Sequence, residues 1–134
     1  MSRKCVHLFG FILIISLLLC NFAAASDIMP LADSEFTTTT LLLKSSKQVA
    51  FRATTYEVKD SISVTACWLE KENSDGTWST VCSLPAPSAV ATDNFSFATN
   101  ADYSSYIGSG TYRIGATFNA DGHTLSVTSN ERTF

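Results

Sequence analysis

The chain has 134 residues, of which 46% are apolar and 16% charged, and its formal net charge is −3 at pH 7. This length fits a single domain of ordinary size. The acidic balance excludes a strongly basic nucleic-acid-binding protein, because such proteins need clustered Lys and Arg to neutralise phosphates.

The first 25 residues have the three parts of a cleavable signal peptide. Arg3 and Lys4 form a basic start, residues 8–20 are mostly apolar, and three alanines end at Ala25. Because such a segment is removed during secretion, we expect a secreted protein cut after Ala25. A membrane anchor is the alternative, but a span needs about 20 apolar residues. The 109 residues after Ala25 contain 16 Ser and 16 Thr, have a net charge of −5 and include no membrane-spanning apolar run.

Residues 26–35 show little periodicity and are expected to form a flexible leader. From residue 36 onward, Val, Ile, Thr, Tyr and Phe cluster in short runs between turn residues, which is typical of β-strands. We predict strands at 36–44, 48–57, 62–72, 77–84, 94–99, 110–119 and 123–134. Phe95 and Phe97 should point to the same side of the fifth strand, and every second residue of the sixth from Tyr112 to Phe118 should share one face. Turns are predicted at 45–47, 59–61, 73–76 and 121–122. Pro85 and Pro87 should end a strand, because proline cannot donate a ladder hydrogen bond.

Seven short strands at this spacing predict an all-β fold, an immunoglobulin-like antiparallel β-sandwich over residues 36–134. Tyr112 follows Gly110 by two residues at the start of a late strand. This placement is similar to the tyrosine corner of immunoglobulin-like sandwiches, in which the hydroxyl bonds back to the backbone. A core-facing tyrosine with a solvated hydroxyl is the alternative.

Short motifs at three places carry a family resemblance: 68–71 (WLEK), 75–78 (DGTW) with Val81, and 110–113 (GTYR). They resemble a group of small secreted proteins of Gram-positive bacteria, a domain of unknown function with a signal peptide and one immunoglobulin-like β domain. The resemblance covers most of residues 36–134. It implies secretion and the fold, and it implies no catalytic or binding residues.

Cys67 and Cys82 remain after removal of the signal peptide, and a secreted protein can join two such cysteines in a disulfide. The register of the hairpin between them decides whether they meet. If Glu72 pairs with Thr77, the two cysteines lie directly opposite each other. If a bulged loop shifts the register by one residue, Cys67 faces Ser83 and points away from Cys82. We predict the disulfide, and the sequence leaves both registers open.

The residue types that catalysis and metal binding require do not form a recognisable set. Asp121 and His123 could belong to a serine triad, but the sequence shows no nucleophile elbow and no Gly-rich oxyanion loop to accompany them. Glu70 and Glu72 share a strand face near a turn, which favours solvated charges over glycoside hydrolysis. One His and two Cys do not make a zinc site. We therefore expect no enzyme activity, no metal and no cofactor.

Four aromatic residues are the best candidates for ligand binding. Trp68 and Trp78 flank the predicted turn at 73–76, and Tyr103 and Tyr106 lie on a predicted loop. Exposed Trp and Tyr side chains can stack on sugars or act as hot spots for protein partners. Packing of these rings within the fold is the alternative.

We expect a secreted, monomeric, non-enzymatic binding module for an extracellular protein or glycan, with no nucleic-acid partner. One alternative is a structural secreted protein without a defined ligand, in which the two tryptophans only pack. A small hydrolase using Asp121 and His123 is the other.

Overall fold

A computed structural model of the protein describes residues 35–134. Strands, and no helix, are found in this range: β1 (Phe36–Leu43), β2 (Gln48–Glu72), β3 (Trp78–Leu84), β4 (Val90–Asp102), β5 (Thr111–Ala120), β6 (His123–Thr128) and β7 (Arg132–Thr133). All of them belong to one curled, antiparallel sheet of seven strands. The predicted signal peptide, and the predicted leader except Glu35, lie outside the described residues.

The 25-residue strand β2 pairs along both edges and organises the sheet. One edge pairs with β1 and then β5, and the other edge pairs with β4 and then β3. The ladder with β4 is interrupted between Thr54 and Lys59, where four β2 residues lie opposite Phe95. Bulges of this kind bend a strand. The turn predicted at 59–61 is therefore wrong, because Lys59 and Ser61 continue to pair with β4.

The core is formed by buried side chains from most of the strands, and β5 follows the predicted alternation. Every second residue of β5 from Tyr112 to Phe118 is buried, as predicted. Phe118 contacts Phe51 and Phe97 edge-on, with ring centroids 6.4 and 6.3 Å apart. These rings join β5 to β2 and β4, so strands distant in sequence share one apolar core.

Most predicted turns are present. β5 and β6 are joined by Asp121 and Gly122, both at positive φ (50° and 92°), which a two-residue hairpin requires. β3 ends at Leu84, before the two prolines, as predicted. The predicted strand 94–99 is longer in the structure, and the predicted strand 123–134 is divided into β6 and β7.

The all-β class, the antiparallel pairing and the number of seven strands are confirmed. Their composition differs from the prediction, because two predicted strands form β2 and one predicted strand is divided. The Tyr112 hydroxyl donates to the carbonyl of Ser109 (3.2 Å), which is the predicted backward hydrogen bond. The immunoglobulin-like arrangement stays a prediction. Among residues 35–134, no helix exists that could cross a membrane.

Candidate functional site

The two tryptophans lie on the outer face of the sheet formed by β3, β2 and β5. In β2, Trp68 and Glu70 alternate with the buried Cys67 and Leu69, so they point away from the core. Strand pairing then sets their neighbours, since Trp68 pairs with Gly115, Glu70 with Arg113 and Glu72 with Trp78. We call the set of Trp68, Glu70, Trp78, Arg113 and Gly115 the tryptophan face.

The indole of Trp68 covers Gly115 with its ring face. A Cβ atom built on Gly115 would lie 2.0 Å from Cε2 of Trp68, and 2.2 and 2.3 Å from the two ring atoms beside it. Approach along the ring edge would bring a neighbouring atom nearest, so these distances indicate the face of the ring. The Nε1–H of Trp68 donates to Oε1 of Glu70 (3.3 Å), which fixes the orientation. Trp68 is partly exposed. Because one face of the indole covers Gly115, the other face points away from the sheet.

Arg113 links the two tryptophans through Glu70. Its Nε donates to Oε2 of Glu70 in an ion pair, and its guanidinium carbon lies 4.3 Å from the ring centre of Trp78. Stacking of a guanidinium on an indole is a favourable cation–π contact. The Glu70 carboxylate therefore holds Trp68 with one oxygen and Arg113 with the other. The result is a fixed row of planar groups across three strands.

Hydroxyl groups continue the outer surface beyond the tryptophan face. Gly115 pairs with Thr128 of β6, and Thr117 pairs with Ser126. The Oγ atoms of Thr117 and Ser126 are 2.8 Å apart and hydrogen-bonded. Thr124, Ser126 and Thr128 are exposed along β6, so donors and acceptors lie beside the indole. The tryptophan face is an open sheet surface, and no cavity is found among residues 35–134.

The two tyrosines form a separate pair on the loop after β4, with ring centroids 6.2 Å apart. Tyr103 is only 1% exposed, and its hydroxyl donates to the carbonyl of Pro85 (2.8 Å). Burial raises the pKa of this hydroxyl well above its usual range. Tyr103 is therefore a packing residue rather than a ligand contact, whereas Tyr106 is 44% exposed.

Cys67 and Cys82 are free thiols, so the predicted disulfide is not present in the structure. Near the turn the bulged register holds, because Glu72 pairs with Trp78. A second irregularity at Val81 then places Cys67 opposite Leu84, so neither predicted register applies at the cysteines. Burial raises the pKa of the Cys67 thiol, and a hydrogen bond with Tyr103 opposes that effect.

Asp121, a catalytic candidate in the hydrolase alternative, has a structural role in the fold. Its two carboxylate oxygens accept the backbone N–H groups of Asp60 (3.0 Å) and Ser61 (2.8 Å), so it ties the β5–β6 turn to β2. His123 begins β6 on the exposed side of this turn. Within the described residues, no group of three or more His, Cys, Asp and Glu side chains is placed to bind a metal.

Exposed apolar residues that were not predicted from the sequence lie at the bulge of β2. Tyr56, Val58 and Phe95 are 71%, 62% and 54% exposed, and the register places Phe95 opposite the bulge. We call these three residues the bulge patch. Phe95 and Phe97 had been predicted to point the same way, but Phe97 is buried. The sequence gives no local signal for the patch, because the bulge depends on pairing with β4.

No family model, no curated protein and no solved structure matches the chain. These comparisons do not bear on the resemblance to small secreted proteins of Gram-positive bacteria, which stays a prediction.

Proposed function

We propose that the protein is an extracellular, non-enzymatic binding module that binds a saccharide polymer on its tryptophan face. The observation that carries the proposal is the Trp68 indole, which lies face-on over Gly115 and is held there by Glu70. A ring fixed in this way offers its second face to a ligand at little conformational cost.

The chemistry of the surrounding surface favours a sugar over a peptide. A pyranose ring has an apolar face that stacks on an aromatic plane, and its hydroxyls need donors and acceptors at the rim. Thr128 pairs with Gly115 beside the indole, and Thr124 and Ser126 extend the same exposed row. The open sheet surface, which has no cavity among residues 35–134, suits a chain of sugar units.

The extracellular location rests on the predicted signal peptide and on the resemblance to small secreted proteins of Gram-positive bacteria. We also propose the immunoglobulin-like class, which the backward hydrogen bond of Tyr112 supports.

The test is binding of purified protein to soluble neutral glucans, chitin oligosaccharides and uronic-acid polymers, measured by tryptophan fluorescence and calorimetry. Trp68→Ala should weaken binding of the recognised polymer by at least about tenfold, as expected for a central aromatic contact. Val81→Ala is the matched control, because Val81 is an exposed apolar residue of β3 outside the tryptophan face.

Two results would refute the proposal. One is the absence of binding to every polymer, with fluorescence that no ligand changes, which would favour the alternative of a structural protein. The other is equal loss of binding in Trp68→Ala and Val81→Ala. Trp68→Phe should retain part of the affinity, since it keeps an aromatic face over Gly115.

A further inference from the structure

Residues 55–59 of β2 reverse the usual distribution of polar and apolar side chains. Thr55 and Lys59 are 3% and 9% exposed, whereas Tyr56 and Val58 are 71% and 62% exposed. Scattered apolar residues on a surface need no explanation, but a group of large ones next to buried polar residues is informative. Phe95 of β4 lies opposite this segment and enlarges the apolar area.

The bulge is held in place by contacts of its own. The Thr55 hydroxyl donates to the carbonyl of Glu57 (2.7 Å), and the Tyr56 N–H donates to the carbonyl of Glu35 (3.2 Å). Lys59 forms an ion pair with the carboxylate of Glu35. Tyr56 and Val58 are therefore presented by a braced backbone, which lowers the ordering cost of binding.

Acidic side chains lie within and at one end of the bulge patch. Glu57 lies between its two β2 members. Asp60 and Asp93 are the chain neighbours of Lys59 and Asn94, which pair across β2 and β4. The carboxylate of Asp121 accepts the N–H of Asp60 and so lies beside it. The cation of this segment, Lys59, is buried and paired with a glutamate, so the exposed rim carries negative charge.

We propose that the bulge patch is a docking surface for a protein segment that presents apolar side chains flanked by Lys or Arg. The apolar partner covers Tyr56, Val58 and Phe95, and its cations face the acidic rim. Charge complementarity selects this occupant. A second copy placed patch to patch would bring the same carboxylates together, and an anionic membrane surface would be repelled. The surface is distinct from the tryptophan face, so this proposal does not depend on saccharide binding.

The test is an NMR titration of isotope-labelled protein with a synthetic heptapeptide in which Phe and Leu alternate with Lys. Amide shifts should be confined to the backbone around residues 54–60 and 92–96. Tyr56→Ser and Phe95→Ser should each weaken binding by about tenfold or more. Val81→Ser is the matched control, because Val81 is 51% exposed and lies on β3. A well-dispersed spectrum of each variant verifies the fold, and Val58→Ser gives a second test of the patch.

Two further peptides separate the apolar contribution from the electrostatic one. Replacing Phe and Leu by Ser, or replacing Lys by Glu, should each weaken binding by at least about tenfold. The proposal is overturned if the Ser–Lys peptide binds equally well, or if the shifts map to another surface. It is also overturned if the heptapeptide does not bind, or if the protein self-associates and Tyr56→Ser abolishes that association.

Discussion

Substitution of Gly115 by Ala tests the geometry on which the tryptophan face depends. The new Cβ atom would lie 2.0 Å from Cε2 of Trp68, whereas ordinary contact begins near 3.4 Å, so the indole must lift by about 1.4 Å. That movement breaks the 3.3 Å hydrogen bond from Nε1 to Glu70. Forcing extra atoms into a packed contact costs about 1–3 kcal/mol. We expect Gly115→Ala to lower the free energy of unfolding by that amount.

The measurement is urea denaturation followed by circular dichroism, with Gly108→Ala as the matched control. A Cβ atom on Gly108 meets only the Tyr112 hydroxyl, at an ordinary 3.6 Å. That variant should be neutral, or more stable by up to about 1 kcal/mol, because Ala restricts the unfolded chain. In a Trp78→Phe background, the Trp68 fluorescence of Gly115→Ala should also shift towards that of a solvated indole.

A double-mutant cycle decides whether the indole is the cause. When Trp68 is already Ala, Gly115→Ala has no ring to displace and should cost less than about 0.5 kcal/mol. The reasoning is refuted if the full cost persists in the Trp68→Ala background. It is equally refuted if Gly115→Ala and Gly108→Ala have the same stability.

Two other predictions concern buried groups. Tyr103→Phe should lower the free energy of unfolding by about 0.5–1.5 kcal/mol, because it removes the hydrogen bond that the Tyr103 hydroxyl donates to the Pro85 carbonyl. Burial raises the pKa of Tyr103 in the folded protein above its value in the unfolded chain. The stability that the Tyr103 hydroxyl contributes is therefore complete below about pH 10 and declines at higher pH. Wild type should lose its stability advantage over Tyr103→Phe as the pH rises above that value. An advantage that grows above pH 10 would contradict this sign. For the thiols, reduction should leave the mass of the protein unchanged, because Cys67 and Cys82 are not bonded. Alkylation of the folded protein should modify the partly exposed Cys82 before the buried Cys67. Faster modification of Cys67 would contradict the pairing of β3 with β2.

Local sequence information predicted the elements that depend on nearby residues. The alternation of β5 and the Asp-Gly turn before β6 each arise within a few residues, because side-chain periodicity and positive φ are local properties. The break at Pro85 is local for the same reason. The structure confirms all three.

Features that depend on distant pairing could not be predicted. Lys59, Asp60 and Ser61 are ordinary turn residues, but β4 pairs with them and Asp121 accepts two of their N–H groups. The predicted strand register at Cys67 and Cys82 is wrong for a related reason, since the irregularity at Val81 shifts β3 by one residue. A one-residue shift changes every facing pair beyond it.

The candidate site also combines residues that the sequence identifies with contacts that depend on distant pairing. Trp68 and Trp78 were identified from the sequence because exposed aromatics near a turn are ordinary ligand contacts. Their connection through Arg113 and the space provided by Gly115 depend on the pairing of β2 with β5, which joins residues more than forty positions apart. Tyr103 was predicted to lie on a loop as a candidate ligand contact, whereas the fold buries its side chain and its hydroxyl donates to the Pro85 carbonyl.

The two proposed surfaces lie on opposite halves of one strand, and this arrangement makes a prediction about their independence. Tyr56 and Trp68 are twelve residues apart on β2, which is a path of about 40 Å along the strand at 3.3 Å per residue. Their contacts differ, since Trp68 rests on Gly115 and the backbone of Tyr56 is held by Glu35. Changes at well-separated sites add within about 0.5 kcal/mol. We therefore expect Tyr56→Ser to leave saccharide binding unchanged and Gly115→Ala to leave peptide binding unchanged, with additive effects on stability in the double variant. Non-additivity beyond that margin would mean that β2 transmits strain between its two halves, and the surfaces would then have to be treated as one site.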